Sequence, residues 1–204
     1  MQSIENKIYT KIKYSGKGKL FFSDNFVKYG TPDSITKALT TLCKKEILVR
    51  LARGVYLYPE FDEKLGLGML IPSASTIAKA IAKRDKARIA PIGAYALNAL
   101  GLSTQIVTNV VYLTDGTPRK IQLAKQKITF KHTAPKNLAY KSDIMMLVVS
   151  ALKEIGSKDI TEIELSKIIE VLSQEKRENI LIDLNLAPAW IRKIILNLQQ
   201  NELD

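Results

Sequence analysis

An α+β fold in three parts is what the sequence predicts, on three observations. Helix and strand signals alternate over the first two thirds of the 204 residues, and the last third carries helical spacing alone. Two pairs of β-rich runs, at 47–51 with 55–58 and at 105–113 with 119–123, each flank a glycine-containing turn. Charge divides along the same lines: residues 1–60 carry 11 Lys/Arg against 5 Asp/Glu, residues 61–141 carry 13 against 4, and residues 142–204 carry 7 against 11. The expected units are residues 1–60, a basic middle unit at 70–140 with a small, mostly antiparallel sheet, and an acidic helical subdomain at 141–204.

The first helix is expected from Ser3, a side-chain cap, to about Lys13, with Ile4, Ile8, Tyr9 and Ile12 at helical spacing. Ser15-Gly16-Lys17-Gly18 breaks it. Its two glycines and two lysines lack the spacing of a phosphate loop and read better as a flexible basic turn. Leu20, Phe21 and Phe22 make a short strand, and Ser23 is expected to cap a brief helix over 24–29 that Gly30 ends. The next helix opens with Thr31 as N-cap, Pro32 in the first helical position and Asp33 favouring the positive end of the dipole. Within it Ile35, Leu39 and Leu42 recur at i, i+4 and i+7, giving one face to a core. Lys37, Thr41 and Lys44 lie on the opposite face. The two β-rich runs follow at once, joined around Ala52-Arg53-Gly54.

Helix, short strand, short helix, tight turn, longer helix and basic-tipped hairpin is the order of a winged helix-turn-helix, packed into 60 residues. In that arrangement Ser34, Lys37 and Thr41 would face base edges in a major groove of double-stranded DNA. Lys44, Arg50 and Arg53 would hold phosphates. Taken alone, the stretch fits a solvated helix and an ordinary hairpin equally well. The net charge of +11 adds weight to a polyanion partner.

Composition shifts near 59–68, where the first unit should end. Ser75 is expected to cap a helix over 76–83 that runs into Lys83-Arg84-Asp85-Lys86-Ala87-Arg88. A short strand at 89–92 and an alanine-rich helix at 93–102, closed by Gly101, come next. Strands at 105–113 and 119–123 follow, with Asp115-Gly116 between them as a hairpin signal. Residues 127–133 alternate apolar and polar and predict a third strand with one wet face. In the last third, Ile144, Leu147, Val148, Ala151 and Leu152 make a helical stripe to about Gly156. Thr161 and Glu164 form a capping box for a helix with Ile163, Ile168, Ile169 and Leu172 as its apolar positions. Two more helices are expected at 174–184 and 188–200.

One histidine, His132, and one cysteine, Cys43, lie in separate units, so a nucleophilic triad or a metal cluster is hard to assemble. Cys43 falls near the apolar side of its helix and is expected as a small buried side chain. Glu162 and Glu164 sit on an acidic helix surface. The sequence has no Walker loop, zincin motif or dinucleotide turn. Catalysis, a metal and a cofactor are therefore not expected. No apolar run reaches the roughly 18 residues of a membrane span, and the first residues lack a secretory pattern. A cytoplasmic location without membrane contact is the expectation.

The stretch from Gly30-Thr31-Pro32 to Arg53-Gly54-Val55-Tyr56 resembles the N-terminal winged helix of the AbiEi-type antitoxins of bacterial type IV toxin–antitoxin systems. Residues 91–105, Tyr112-Leu113-Thr114-Asp115-Gly116, Ile128-Thr129-Phe130-Lys131-His132 and Ala187-Pro188-Ala189-Trp190-Ile191-Arg192 are similar to a subgroup of AbiEi-like proteins, so the likeness covers nearly the whole chain. The resemblance implies a DNA-binding antitoxin that represses its own operon and counters a nucleotidyltransferase-like toxin encoded beside it. Carried over residue by residue, it places DNA contacts at Thr31, Ser34, Lys37, Thr41 and Lys44 on the helix and at Arg50 and Arg53 in the wing. It implies a cognate toxin as second partner and leaves the oligomeric state open. The alternative is a protein-interaction module in which the winged helix is scaffold and the helical last third holds the partner.

Overall fold

The computed structural model describes residues 2–66 and 68–201. Met1 at the N-terminus, Leu67 in the expected boundary stretch and residues 202–204 of the acidic subdomain lie outside them. The fold is α+β. By its contacts the chain forms two compact units, Met1–Ala80 with Gln122–Ala124 and Ile81–Ile121 with Lys125–Asp204. Most of the expected middle part therefore shares one unit with the last part.

In the first unit, helix α1 (Ile4–Ser15) starts where Ser3 Oγ accepts from Asn6 N at 3.2 Å. It turns Ile8 and Ile12 into the core. Strand β1 (Leu20–Phe21) leads to a 3₁₀ helix, Ser23–Tyr29. Its start is held by Asn25 Oδ1, which accepts from Phe22 N at 2.8 Å, so Ser23 is its first residue and not its cap. Gly30 is extended, with φ 172°, and serves close approach: a methyl there would press on Ser34 Oγ at 2.5 Å and Ile4 Cδ1 at 2.9 Å. Helix α2 (Pro32–Lys44) buries Ile35, Ala38, Leu39 and Leu42 in the same core as Ile8, Ile12, Phe21 and Phe26. Strands β2 (Val49–Ala52) and β3 (Val55–Leu57) form an antiparallel hairpin, and β1 pairs with β3 to give the order β1-β3-β2. A separate hairpin joins β4 (Glu60–Asp62) and β5 (Gly68–Leu70). Helix α3 (Ala74–Asp85), whose residues from Ile81 on belong to the second unit, is capped by Ser73, whose Oγ accepts from Thr76 N at 3.1 Å, and not by Ser75.

The sheet of the second unit contains β6 (Ile89–Ile92), β7 (Asn109–Thr114), β8 (Arg119–Gln122) and β9 (Lys127–His132), in the order β6-β7-β9-β8. Helix α4 (Ala94–Ala99) connects the first two strands. The expected β7–β8 hairpin is not formed. β9 inserts between those strands and runs parallel to β7, from Asn109↔Lys127 to Thr114↔His132, so the sheet is mixed. The reason lies in the turn. Gly116 is not left-handed, whereas a two-residue hairpin needs positive φ at its central residues. Asp115 is instead committed to Arg88, accepting from its backbone N at 2.7 Å and its Nε at 2.8 Å. Gly116 lies against Ala87, where an added Cβ would stand 2.7 Å from the Ala87 Cβ. Nor does β9 have a wet face along its whole length: Thr129 is buried with Ile128 and Phe130, its hydroxyl donating to Asn109 Oδ1 at 3.0 Å.

Helices α5 (Asp143–Ile155), α6 (Glu162–Leu172), α7 (Arg177–Leu184) and α8 (Ala189–Asn201) complete the unit. Met145, Val148 and Leu152 of α5 meet Ile168, Ile180, Ile191 and Ile195, together with Ala96 and Leu100, in one core. The capping box of Thr161 and Glu164 forms as the spacing predicts. Ile163 does not join the core and is 82% exposed. Helix α7 begins at Arg177 and not at 174. Glu175 ahead of it accepts from Asn179 Nδ2 and Lys176 N at 2.8 Å each, and from the Ser142 hydroxyl. Asp183 is fully buried and accepts from Lys141 N and Ser142 N, both at 2.8 Å. No helix among the described residues is long and apolar enough to cross a membrane.

Gly116→Ala should cost about 1–3 kcal/mol, because the Ala87 methyl has no rotamer by which to yield. Adding Ala87→Gly should recover part of the loss in urea unfolding, and simple additivity of the two costs would contradict the contact. Burial pushes the Asp115 carboxyl up, but the hydrogen bonds and charge of Arg88 outweigh it and hold it below the usual carboxylate range. Its contribution is thus complete above an unfolded value of about 3.9 and is lost as pH falls through the lower folded value. Asp115→Asn should lower the unfolding midpoint near neutral pH and flatten its acid-side decline.

Candidate nucleic-acid interface

The ends of α2 decide how its side chains are presented. Thr31 Oγ1 accepts from Ser34 N at 3.4 Å, and Pro32 occupies the first turn, where its missing N–H removes no helix bond. At the other end Glu46 N donates to Cys43 O and Ile47 N to Leu42 O, each at 3.0 Å, with Glu46 left-handed at φ 58°. This paired closure is usually built on glycine. It sends the chain directly toward β2.

Asp33, Lys37, Thr40 and Lys44 are exposed, and they fall within about 60° of arc on a helix that turns about 100° per residue. Thr36, also exposed, flanks this stripe on one side. Ser34 and Thr41 are half-buried on the other, so they edge the outward face and do not form its centre. All four hydroxyls of the helix donate to its own carbonyls: Ser34 to Thr31 O, Thr36 to Pro32 O and Thr40 to Thr36 O at 2.8 Å, and Thr41 to Lys37 O at 3.0 Å. Asp33, Thr36 and Thr40 are absent from the contacts expected of the sequence. The signal for Asp33 and Thr40 is the 33, 37, 40, 44 spacing, opposite in phase to Ile35, Leu39 and Leu42.

Arg50 is exposed on β2 and sits near the end of α2, close enough for its charge to act on Cys43, the neighbour of Lys44. Burial pushes the Cys43 thiol up and Arg50 draws it only partly back, so the half-buried thiol stays protonated at neutral pH. Tyr56 is pushed up for the same first reason. Arg53 is exposed at the hairpin tip, where Gly54 supplies a φ of +75°. Lys37, Lys44, Arg50 and Arg53 have no hydrogen bond or ion pair among the described residues, whereas Lys45 is held by Glu5 at 2.5 Å. Thr31 and Lys44 lie about 20 Å apart at about 1.5 Å per residue. The seven expected side chains thus do not converge on a point. They line one helix face and a hairpin, a geometry suited to an extended ligand.

The second unit has cations of a different kind. Asp85 binds both Arg84, at 2.7 Å, and Arg119. Arg119 rests over the Phe130 ring at 5.6 Å, and burial, with Arg84 nearby, lowers its pKa. Arg88 adds two bonds to the carbonyls of Leu138 and Pro135, at 3.3 Å each. These arginines hold loops together. His132 is exposed, its Nδ1 3.4 Å from Gly116 O. A cavity of 310 Å³ opens between β6, β7 and α5, with Lys153, Glu154 and Asn137 around an apolar floor of Ile92, Leu113 and Met146. Among the described residues no His, Cys, Asp or Glu side chains group in a way that could hold a metal ion.

The chain belongs to the family of unknown function DUF6088, whose model matches residues 7–180. That match takes in α2, the β2–β3 hairpin and the whole of the mixed sheet. No curated protein matches the chain.

The Thr31 cap offers a check on the presentation of α2. Thr31→Ala should lower stability by about 1 kcal/mol and Thr31→Ser by much less. Equal losses in thermal unfolding would show that the hydroxyl does not carry the cap.

Proposed function

We propose that the chain is a DNA-binding transcriptional regulator whose first unit is a winged helix-turn-helix, acting as the antitoxin of a type IV toxin–antitoxin system. In this reading α2 enters a major groove and the β2–β3 hairpin is the wing. The observation that carries it is the set of unpaired, exposed cations Lys37, Lys44, Arg50 and Arg53 on one helix face and the adjoining hairpin. The order of α1, β1, 3₁₀ helix, α2 and hairpin supports it. So does the excess of 11 Lys/Arg over 5 Asp/Glu in residues 1–60. Lys44, Arg50 and Arg53 hold phosphates; Lys37, with Ser34 and Thr41 beside it, faces base edges; Thr31 caps the helix at the groove. Autorepression of the operon and opposition to a nucleotidyltransferase-like toxin come from the resemblance to AbiEi-type proteins. No catalytic step is assigned to the chain, and it works in the cytoplasm.

A second reading has a specific observation in its favour. Leu181, Ile182 and Leu186, on and just after α7, are exposed apolar side chains within the net-acidic last third, as a surface that holds another protein would be. In that case the first unit is scaffold and no promoter duplex is bound.

A gel-shift titration with the chain's own upstream DNA across a range of salt decides between them. Replacing Lys44, Arg50 and Arg53 by Ala should weaken binding to every duplex, and each replacement should flatten the log affinity against log salt slope by about one unit. Unchanged affinity and slope in the triple variant would remove these residues from the interface. Absence of any shift by the wild-type chain at moderate salt would favour the second reading.

A further inference from the structure

We infer that Asp33 and Lys37 are the base-reading pair of α2, Asp33 taking a cytosine and Lys37 a guanine in the major groove. The inference rests on the reading of α2 as a recognition helix. The four hydroxyls of α2 each donate to a carbonyl of that helix at 2.8–3.0 Å. With their donors occupied they keep only lone pairs and methyl groups for a base. In the outward stripe of Asp33, Lys37, Thr40 and Lys44, the uncommitted polar groups of the N-terminal half are those of Asp33 and Lys37. That half is the one that reaches base edges in helix-turn-helix proteins. Neither side chain has a hydrogen bond or ion pair among the described residues.

The sign of the charge is what makes Asp33 informative. An exposed carboxylate in a groove walled by phosphates is repelled by every duplex, and a phosphate-gripping helix gains nothing from it. A base that offers a donor reverses this locally, and the N4 amino group of cytosine is the donor an aspartate accepts from. Lys37, one turn on, offers donors to O6 and N7 of guanine. Four residues rise about 6 Å along a helix. At about 3.4 Å per nucleotide step, the two bases stand one to two steps apart. The competing account is that Asp33 only complements the positive end of the helix dipole.

Selection of duplexes from a randomised pool separates the two accounts, using the full-length chain and its Asp33→Asn, Asp33→Ala, Lys37→Ala and Lys44→Ala variants. The wild type should enrich a cytosine with a guanine one or two steps away. Asp33→Asn should exchange the cytosine for adenine, since an amide matches N6 and N7 together. Asp33→Ala should lose roughly tenfold discrimination at that position, while binding unselected duplex at least as tightly. Lys37→Ala should lose the guanine, and Lys44→Ala should weaken all duplexes alike. An identical motif from the wild type and both Asp33 variants overturns the inference, whatever their melting temperatures. Equal binding of all duplexes by the wild type overturns it as well and leaves duplex binding standing. If the wild type retains no duplex at all, the reading of α2 as a recognition helix fails with it.

Discussion

Burial of Ile35, Leu39 and Leu42 sets everything that α2 shows to solvent. Each is at most 2% exposed, and fully burying one such side chain is worth about 1.5–3 kcal/mol. A rotation of α2 by one residue, about 100°, would lift part of that row into water and press Lys37 or Asp33 toward the core. Both changes are unfavourable, so the helix has one phase. The exposed stripe at 33, 37, 40 and 44 is the complement of that phase, held in register with the hairpin by the closure at Glu46. Whatever the first unit binds, it binds with side chains whose direction was decided by apolar packing.

In the second unit the governing constraint is backbone satisfaction. Asp183 is buried and accepts from two N–H groups just ahead of α5, those of Lys141 and Ser142, and a buried carboxylate is tolerable only when so bonded. Glu175, next to it in function, accepts from Ser142, Asn179 and Lys176, which in that order hold its carboxyl below the usual range. Arg88 does similar service for Asp115 and for two loop carbonyls. Several charged groups of the basic middle stretch are therefore structural, although by composition they look like a polyanion surface. Net charge counts them all alike. Only the hydrogen-bond pattern separates them from the unpaired cations of α2 and the hairpin.

What was legible in the sequence follows from how local each signal is. The caps at Ser3, Thr31 and Thr161 and the apolar rows of α2 and α5 depend on residues within two turns, and they stand where the spacing puts them. Ser75 and Ser23 are not caps because each helix begins earlier: Ser73 Oγ takes Thr76 N, and Asn25 Oδ1 takes Phe22 N just ahead of Ser23. The Asp115-Gly116 turn failed for a non-local reason. Arg88, 27 residues away, takes the aspartate, Ala87 occupies the space beside the glycine, and β9 takes the place that β8 would have filled. Parallel pairing of β7 with β9 leaves no mark in either strand alone. Ile163 fits the helical period yet stays in solvent, since periodicity places a residue on a face and does not guarantee that anything covers it. In the candidate interface the cations were legible by type. The centre of the face was not, because Ser34 and Thr41 sit at its half-buried edge, where phase alone does not tell the rim of an outward face from its middle.

The two activities joined in the proposal make opposite demands on charge, and the chain separates them in sequence. A phosphate-gripping surface needs unpaired cations, and residues 142–204, with 7 Lys/Arg against 11 Asp/Glu, are poorly suited to it. Exposed charges more than about 8–10 Å apart are largely screened at physiological salt. Acidic side chains farther than that from a bound phosphate would not oppose binding by α2. The net acidity of residues 142–204 disfavours a second copy of that stretch by like-charge repulsion and suits a neutral or basic protein. In the proposed reading, DNA binding and toxin opposition fall to different stretches of the chain. A variant that loses one has no physical reason to lose the other, and success in showing either is no evidence for both.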